Sequence, residues 1–164
     1  MTGRRNTLDR TEFETAVLAL KDTLYRLSCG YLKGEHDRLD AISEAVLKAW
    51  MKLPTLRDKA SFRPFLLRIL IRECVNIQRR QGRLIPMEAP EQTAPPPDPF
   101  EHEDLRQAMD QLPEHLRVTL MLHYMEGLEV KEIARLMRVS RGAVCSRLKR
   151  GRDKLRTILL QEDI

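Results

Sequence analysis

The chain has 164 residues, enough for one domain or two small ones, and its 42% apolar content permits packed cores. Aromatic residues make up only 5%, so Leu, Ile, Val and Met must do the packing, a composition that favours helices. No apolar run approaches the roughly 18 residues of a membrane span, MTGRRNTLDRTEFE has no apolar core of a secretory signal, and Cys29, Cys74 and Cys145 form neither metal spacing nor CxxC, which points to reduced thiols in a cytoplasm.

The apolar residues Phe13, Val17, Leu20, Leu24, Leu27 and Tyr31 recur at helical spacing and predict a first helix from about Asp9 to Lys33. A second runs from about Asp37 to Lys52, with Leu39, Ile42, Val46, Ala49 and Trp50 as its apolar positions. A third starts near Ser61 as cap and reaches Arg80, with Pro64 in the first turn, where proline is tolerated. Its stripe of Phe62, Leu66, Leu70, Cys74 and Ile77 is expected to be buried. On another face, Arg68, Arg72, Asn76 and Arg80 recur every four residues, with Arg79 beside them. A ladder of arginines and an asparagine suits a nucleic-acid backbone, and both types read base edges, Arg at guanine and Asn at adenine. Segment 57–83 holds eight basic residues against Asp58 and Glu73.

The composition then changes. From Pro86 to Asp104 there are six Pro, six acids and no Lys or Arg. Three consecutive prolines, 95–97, exclude a helix interior or a central strand. Residues 83–104 are therefore read as an extended acidic linker between two helical domains.

Beyond it, Leu105–Gln111 is a short helix, and Pro113 opens a nearly all-apolar helix that reaches Met125 and ends at Gly127. The stretch VKEIARLMRVSRGAVCSRLK, 130–149, has the layout of a helix-turn-helix. Ile133, Ala134 and Met137 lie on its first helix. The turn is Arg138-Val139, and Ser140 caps the second helix. Val144, Leu148, Leu155 and Leu159 share the inner face of that last helix, which is expected to continue to Leu160. Its outer face is free to enter a DNA major groove. Between Val130 and Arg156, ten Lys or Arg stand against Glu132 and Asp153, a net +8 within a chain that nets only +5. Concentrated positive charge on such a motif implies contact with phosphates as well as bases.

Nothing in the sequence supports catalysis. His36, His102, His115 and His123 are scattered, no carboxylate or cysteine joins them at ligand spacing, and there is no glycine-rich phosphate loop. No metal and no cofactor is expected.

With two basic surfaces and an acidic tether, the chain resembles a bacterial sigma factor of the extracytoplasmic-function type. The likeness runs from about Phe13 to Leu160 and rests on three motifs in order. DRLDAISEAVLKAW, 37–50, is similar to the helix that docks on the clamp of core RNA polymerase; the resemblance assigns polymerase binding to Asp37, Asp40, Glu44, Leu47, Lys48 and Trp50. SFRPFLLRILIRECVNIQRR, 61–80, is similar to the helix that, with the loop before it, opens and reads the minus-ten promoter element. The residues implied there are Arg57, Lys59, Ser61, Phe62, Arg63, Phe65, Arg68, Arg72, Asn76, Arg79 and Arg80, with Phe62 and Phe65 packing on unstacked bases. Phe65 stands where Trp is usual and Arg72 where Asn is usual, which implies an altered minus-ten preference. The stretch 112–156 is similar to the domain that reads the minus-thirty-five element. Its implied DNA contacts are Lys131, Arg138, Ser140, Arg141, Gly142, Ser146, Arg147, Lys149 and Arg150.

Three positions depart from that last pattern. Cys145 replaces a basic residue, Arg138 takes the place of the turn glycine and is expected in a left-handed backbone, and Gly151 replaces alanine, weakening the helix by about 1 kcal/mol.

The expected fold is thus all-α, with residues 1–82 as a three-helix, polymerase-binding and minus-ten domain. Residues 83–104 form the linker and 105–164 the helix-turn-helix domain. The linker's 22 residues span at most about 73–79 Å, against roughly 68 Å for two turns of DNA. The implied partners are core polymerase, promoter DNA and an anti-sigma factor. Two rival readings are a sigma mimic that reads no promoter and a simple dimeric repressor, which leaves the arginine ladder and the 37–50 helix without a task.

Overall fold

The computed structural model describes residues 7–83 and 102–162, and among these there is no strand. The chain divides into two compact units, Met1–Pro90 and Glu91–Ile164. The expected linker, 83–104, lies outside the described residues apart from its ends.

The first unit contains α1 (Arg10–Ala19), α2 (Lys21–Tyr31), α3 (Glu35–Met51) and α4 (Phe62–Arg83), with two 3-10 turns, Leu53–Thr55 and Lys59–Ser61, between α3 and α4. The single helix expected over 9–33 is in fact two. The chain breaks at Leu20 (φ −100°, ψ 3°), whose N–H bonds three residues back to Val17 O at 3.0 Å before α2 resumes. No proline or glycine marks this break. It follows from packing, because α1 must angle away to lay Phe13 between Trp50 and Phe62, at ring separations of 5.0 and 5.5 Å. Asp9 starts α1 with a capping box, its carboxylate accepting from Glu12 N at 2.8 Å.

The core of this unit is the α3–α4 pair. Leu66, Leu67, Leu70 and Cys74 of α4 are fully buried, and each such Leu contributes about 2 kcal/mol. The expected stripe of Phe62, Leu66, Leu70, Cys74 and Ile77 is buried throughout. The apolar positions read for α3 divide: Ala49 is buried, Ile42 and Val46 are half-buried, and two are exposed. Its buried positions are Ala41, Ala45 and Ala49, all at 0% exposure, whereas Leu39 and Trp50 are exposed. Alanines at i, i+4 and i+8 let the two backbones approach closely, and a bulky side chain on that seam would hold them apart. Ser61, directly before α4, also ends the preceding 3-10 turn, which Asp58 caps by accepting from Ala60 N.

The second unit contains α5 (Glu103–Asp110), α6 (Glu114–Leu120), a π turn at Met121–Met125, α7 (Val130–Met137) and α8 (Arg141–Glu162). Leu116, Val118, Thr119, Leu120, Met121 and Leu122 are all buried, so this segment is the centre of its unit. The Thr119 hydroxyl is satisfied by donating to His115 O at 2.6 Å. Gly127 turns the chain at φ +67°, and Leu128 N closes the turn on Leu122 O at 3.0 Å.

Candidate nucleic-acid interface

The geometry of the helix-turn-helix follows from a few local choices. Glu132 accepts from Glu129 N at 2.7 Å and starts α7. Arg138 ends it in the left-handed region (φ 56°, ψ 47°), as the sequence predicts, and Val139 N bonds to Ala134 O at 3.0 Å. The Ser140 hydroxyl accepts from Ala143 N at 3.0 Å and starts α8. Ile133, Ala134, Leu136, Val144 and Leu148 are buried in the angle between the helices; Leu136 rather than Met137 fills the inner position.

With that face buried, Arg141, Gly142, Cys145, Ser146, Lys149 and Arg150 stand exposed on the outer side of α8, and Arg147 is half-buried at its flank. Among the described residues no carboxylate lies within ion-pair distance of Arg141, Arg147, Lys149 or Arg150. Their charges are left for an external anion. Arg138 is exposed at the turn, and Lys131 is exposed but pairs with Glu129 at 3.4 Å. His115 of α6 faces the same basic flank. Partial burial, together with the charges of Arg147, Arg150 and Lys154, lowers its pKa below the usual histidine range.

In the first unit, Arg68, Arg72, Arg79 and Arg80 are exposed on α4 and Asn76 is half-buried beside them, so the ladder exists as a surface. Arg57, Lys59 and Ser61 are exposed on the preceding loop and Arg63 is half-buried. The aromatic pair divides. Phe65 is half-buried, but Phe62 is only 4% exposed and packs edge-on to Phe13, so it is a core residue that no base reaches without opening the core.

The α3 face is distinct. Leu47 (53% exposed), Trp50 (43%) and Met51 (70%) project from it with Leu39, beside exposed Asp40 and Glu44. The sequence reading did not place Leu39 or Met51 on this face. The signal was present, since 39, 47, 50 and 51 fall on one side of a helix whose opposite side is alanine. Asp37 is engaged by the Gln81 amide. Lys48 bonds to the buried Glu73 carboxylate at 2.6 Å, so it ties α3 to α4 and is not a free surface charge. Asp40, Glu44 and Lys48 also meet Asn76, Arg79 and Arg80 along an open cleft of about 690 Å³. The last rungs of the arginine ladder therefore adjoin the α3 face.

Among the described residues no helix is long and apolar enough to cross a membrane.

Comparison with known proteins agrees with both units. Residues 16–84 match the model for Sigma-70 region 2, and residues 102–155 match that for Sigma-70, region 4. RNA polymerase sigma factor SigV of Bacillus subtilis is 28% identical over 155 residues, covering 92% of each chain. The RNA polymerase sigma-H factor of Pseudomonas aeruginosa is 30% identical over 167 residues, covering 90% of this chain and 86% of that one. In fold, the chain is similar to the sigma factor RpoE of Bartonella quintana, solved with the anti-sigma factor NepR. That likeness has a TM-score of 0.77 at 19% identity and covers 91% of this chain and 97% of that one. Two region matches in order, each on a unit with its own core and basic surface, leave one assignment: the chain belongs to the sigma-70 family, as an alternative sigma factor of the extracytoplasmic-function type.

Proposed function

We propose that this sigma factor reads the minus-thirty-five element with the outer face of α8 and the minus-ten element with α4 and the loop before it. Core RNA polymerase docks on the exposed side of α3. The observation that carries this reading is the outer face of α8, where Arg141, Lys149 and Arg150 are exposed and have no acidic partner among the described residues. Unpaired guanidinium and ammonium groups beside Gly142 and Ser146 can approach a groove closely and bind phosphates.

On α4 and its loop the reading keeps Arg57, Lys59, Ser61, Phe65, Arg68, Arg72 and Asn76 as contacts to DNA, and leaves Phe62 as their support. On α3 it keeps Asp40, Glu44, Leu47 and Trp50 and adds Leu39 and Met51, because an apolar strip rimmed by carboxylates suits a basic, amphipathic partner helix. Each reader by itself gives salt-sensitive, unspecific affinity. Polymerase fixes their spacing and makes the pair bivalent. The fold likeness to a chain solved with an anti-sigma factor supports such a protein as a further partner, and work on core polymerase assigns the chain to the cytoplasm.

The test is transcription in vitro by bacterial core polymerase on a library of promoter fragments. Discrete start sites that require the protein are expected. Arg150→Ala lowers their yield more than it lowers polymerase affinity. Asp40→Ala with Glu44→Ala lowers polymerase affinity. Tight core binding without transcripts would support a mimic instead, and specific DNA retention without polymerase would support a repressor.

A further inference from the structure

Helix α1 grips the segment between α3 and α4 at three points. Lys59, in the second 3-10 turn, reaches back to Glu12, with Nζ 2.8 Å from Oε1. The other carboxylate oxygen, Oε2, accepts from Asp9 N at 2.8 Å, so Glu12 is held at both ends. These contacts keep its carboxyl below the usual carboxylate range, the hydrogen bond from Lys59 having the largest effect. The next residue, Phe13, is wedged between Trp50, in the last turn of α3, and Phe62, the first residue of α4. Residues 12 and 13 thus hold the second 3-10 turn of the loop and the helix ends that flank it. Both precede the segment matched by the region 2 model, which begins at residue 16.

The loop has few anchors of its own. Leu53 and Leu56 are buried, the Thr55 hydroxyl donates to Lys52 O at 2.6 Å, and Asp58 caps the second turn. Residues 57–61 are exposed. A half-exposed ion pair adds little to stability, but it removes rotamer freedom from a lysine before a ligand arrives, and that freedom is otherwise lost on binding.

We infer that Glu12 is a positioning residue for promoter opening, setting Lys59 and the loop through α1. This rests on the reading in which the loop faces the minus-ten element.

The full-length chain with core polymerase is assayed for the rate of promoter opening, using 2-aminopurine placed in the minus-ten element. Three variants are compared with the parent: Glu12→Gln, which keeps the oxygen acceptor but loses the charge, Lys59→Ala, and the double replacement. Core affinity and thermal midpoint are measured alongside to establish that each variant folds and docks. Glu12→Gln is expected to slow opening by up to about five-fold, the scale of an exposed pair, with core affinity unchanged. The double variant is expected to be no slower than Lys59→Ala, because the two residues act through one contact. If Lys59→Ala slows opening while Glu12→Gln matches or exceeds the parent, or if the two losses add, the bracing role is overturned and the loop's reading role stands. If Lys59→Ala leaves opening unchanged, the reading role fails at this residue and the inference falls with it.

Discussion

Lys48 Nζ lies 2.6 Å from Glu73 Oε1, joining α3 to α4 beside a seam that is otherwise alanine and leucine. Glu73 is only 4% exposed, so removal of Lys48 strands a carboxylate inside the unit. Lys48→Ala is expected to lower stability by about 3 kcal/mol, and Glu73→Gln by about 1 kcal/mol. Lys48→Met combined with Glu73→Leu should recover most of the loss, since the pair then becomes apolar contact. Urea unfolding followed by Trp50, the only tryptophan of the chain, reports on this unit. A Lys48→Ala loss well below 1 kcal/mol would return that side chain to the surface role the resemblance implied.

Arg138 occupies the left-handed region, a conformation that favours glycine. A side chain there costs about 1–2 kcal/mol, which glycine avoids at some cost in chain entropy. Arg138→Gly should therefore stabilise the second unit by about 1 kcal/mol, and Arg138→Ala should not. Hydrogen exchange of the α7 amides measures the change. If Arg138 touches a phosphate, the same glycine variant lowers the salt dependence of promoter binding by about one ion.

Gly151 is the residue at which local propensity and packing disagree. A Cβ there would sit 2.9 Å from Leu120 Cδ1, closer than real contacts allow, and a tight 3.0 Å from Cγ. The gain of about 1 kcal/mol expected of Gly151→Ala in a helix is opposed by overpacking of about 1–3 kcal/mol. The substitution is expected to lower the thermal midpoint. In a Leu120→Ala background the clash is gone and Gly151→Ala should become stabilising. A double-mutant cycle shows this change of sign, and additivity would refute it.

His115 supplies a pH dependence. Its pKa is lowered by partial burial and then by Arg147, Arg150 and Lys154. As pH falls through about 6.5 the unfolded chain takes up the proton first, so the second unit loses stability with acidification and the loss stops once the folded histidine also protonates. Removing one neighbouring charge with Lys154→Ala should raise the His115 pKa, read directly from its ring proton shifts. An unchanged titration would mean that α8 does not set this environment.

Much of this molecule was legible in residue order. The turn at Arg138, the Ser140 cap, the buried stripe of α4 and the exposed basic face of α8 each depend on spacing within a few residues, and local hydrogen bonding with helical periodicity is enough to place them. Other features were not legible, because they depend on what lies opposite. Nothing local distinguishes a Leu20 that breaks a helix from one that continues it; the break comes from where Phe13 must rest. Residue order did not say which apolar residues of α3 face inward; the close approach of α4 admits only alanines on the seam. Leu39, Leu47, Trp50 and Met51 are left outside, where the docking face is proposed. Phe62 and Lys48 carried plausible surface roles until the tertiary structure gave one to the Phe13–Trp50 aromatic cluster and the other to Glu73. Sequence alone set the helices, their caps and the distribution of charge, since these arise from interactions a few residues apart. Which side of each helix faces inward, and which charged groups remain free to meet a partner, was decided only when the helices packed, since burial is a property of pairs of surfaces.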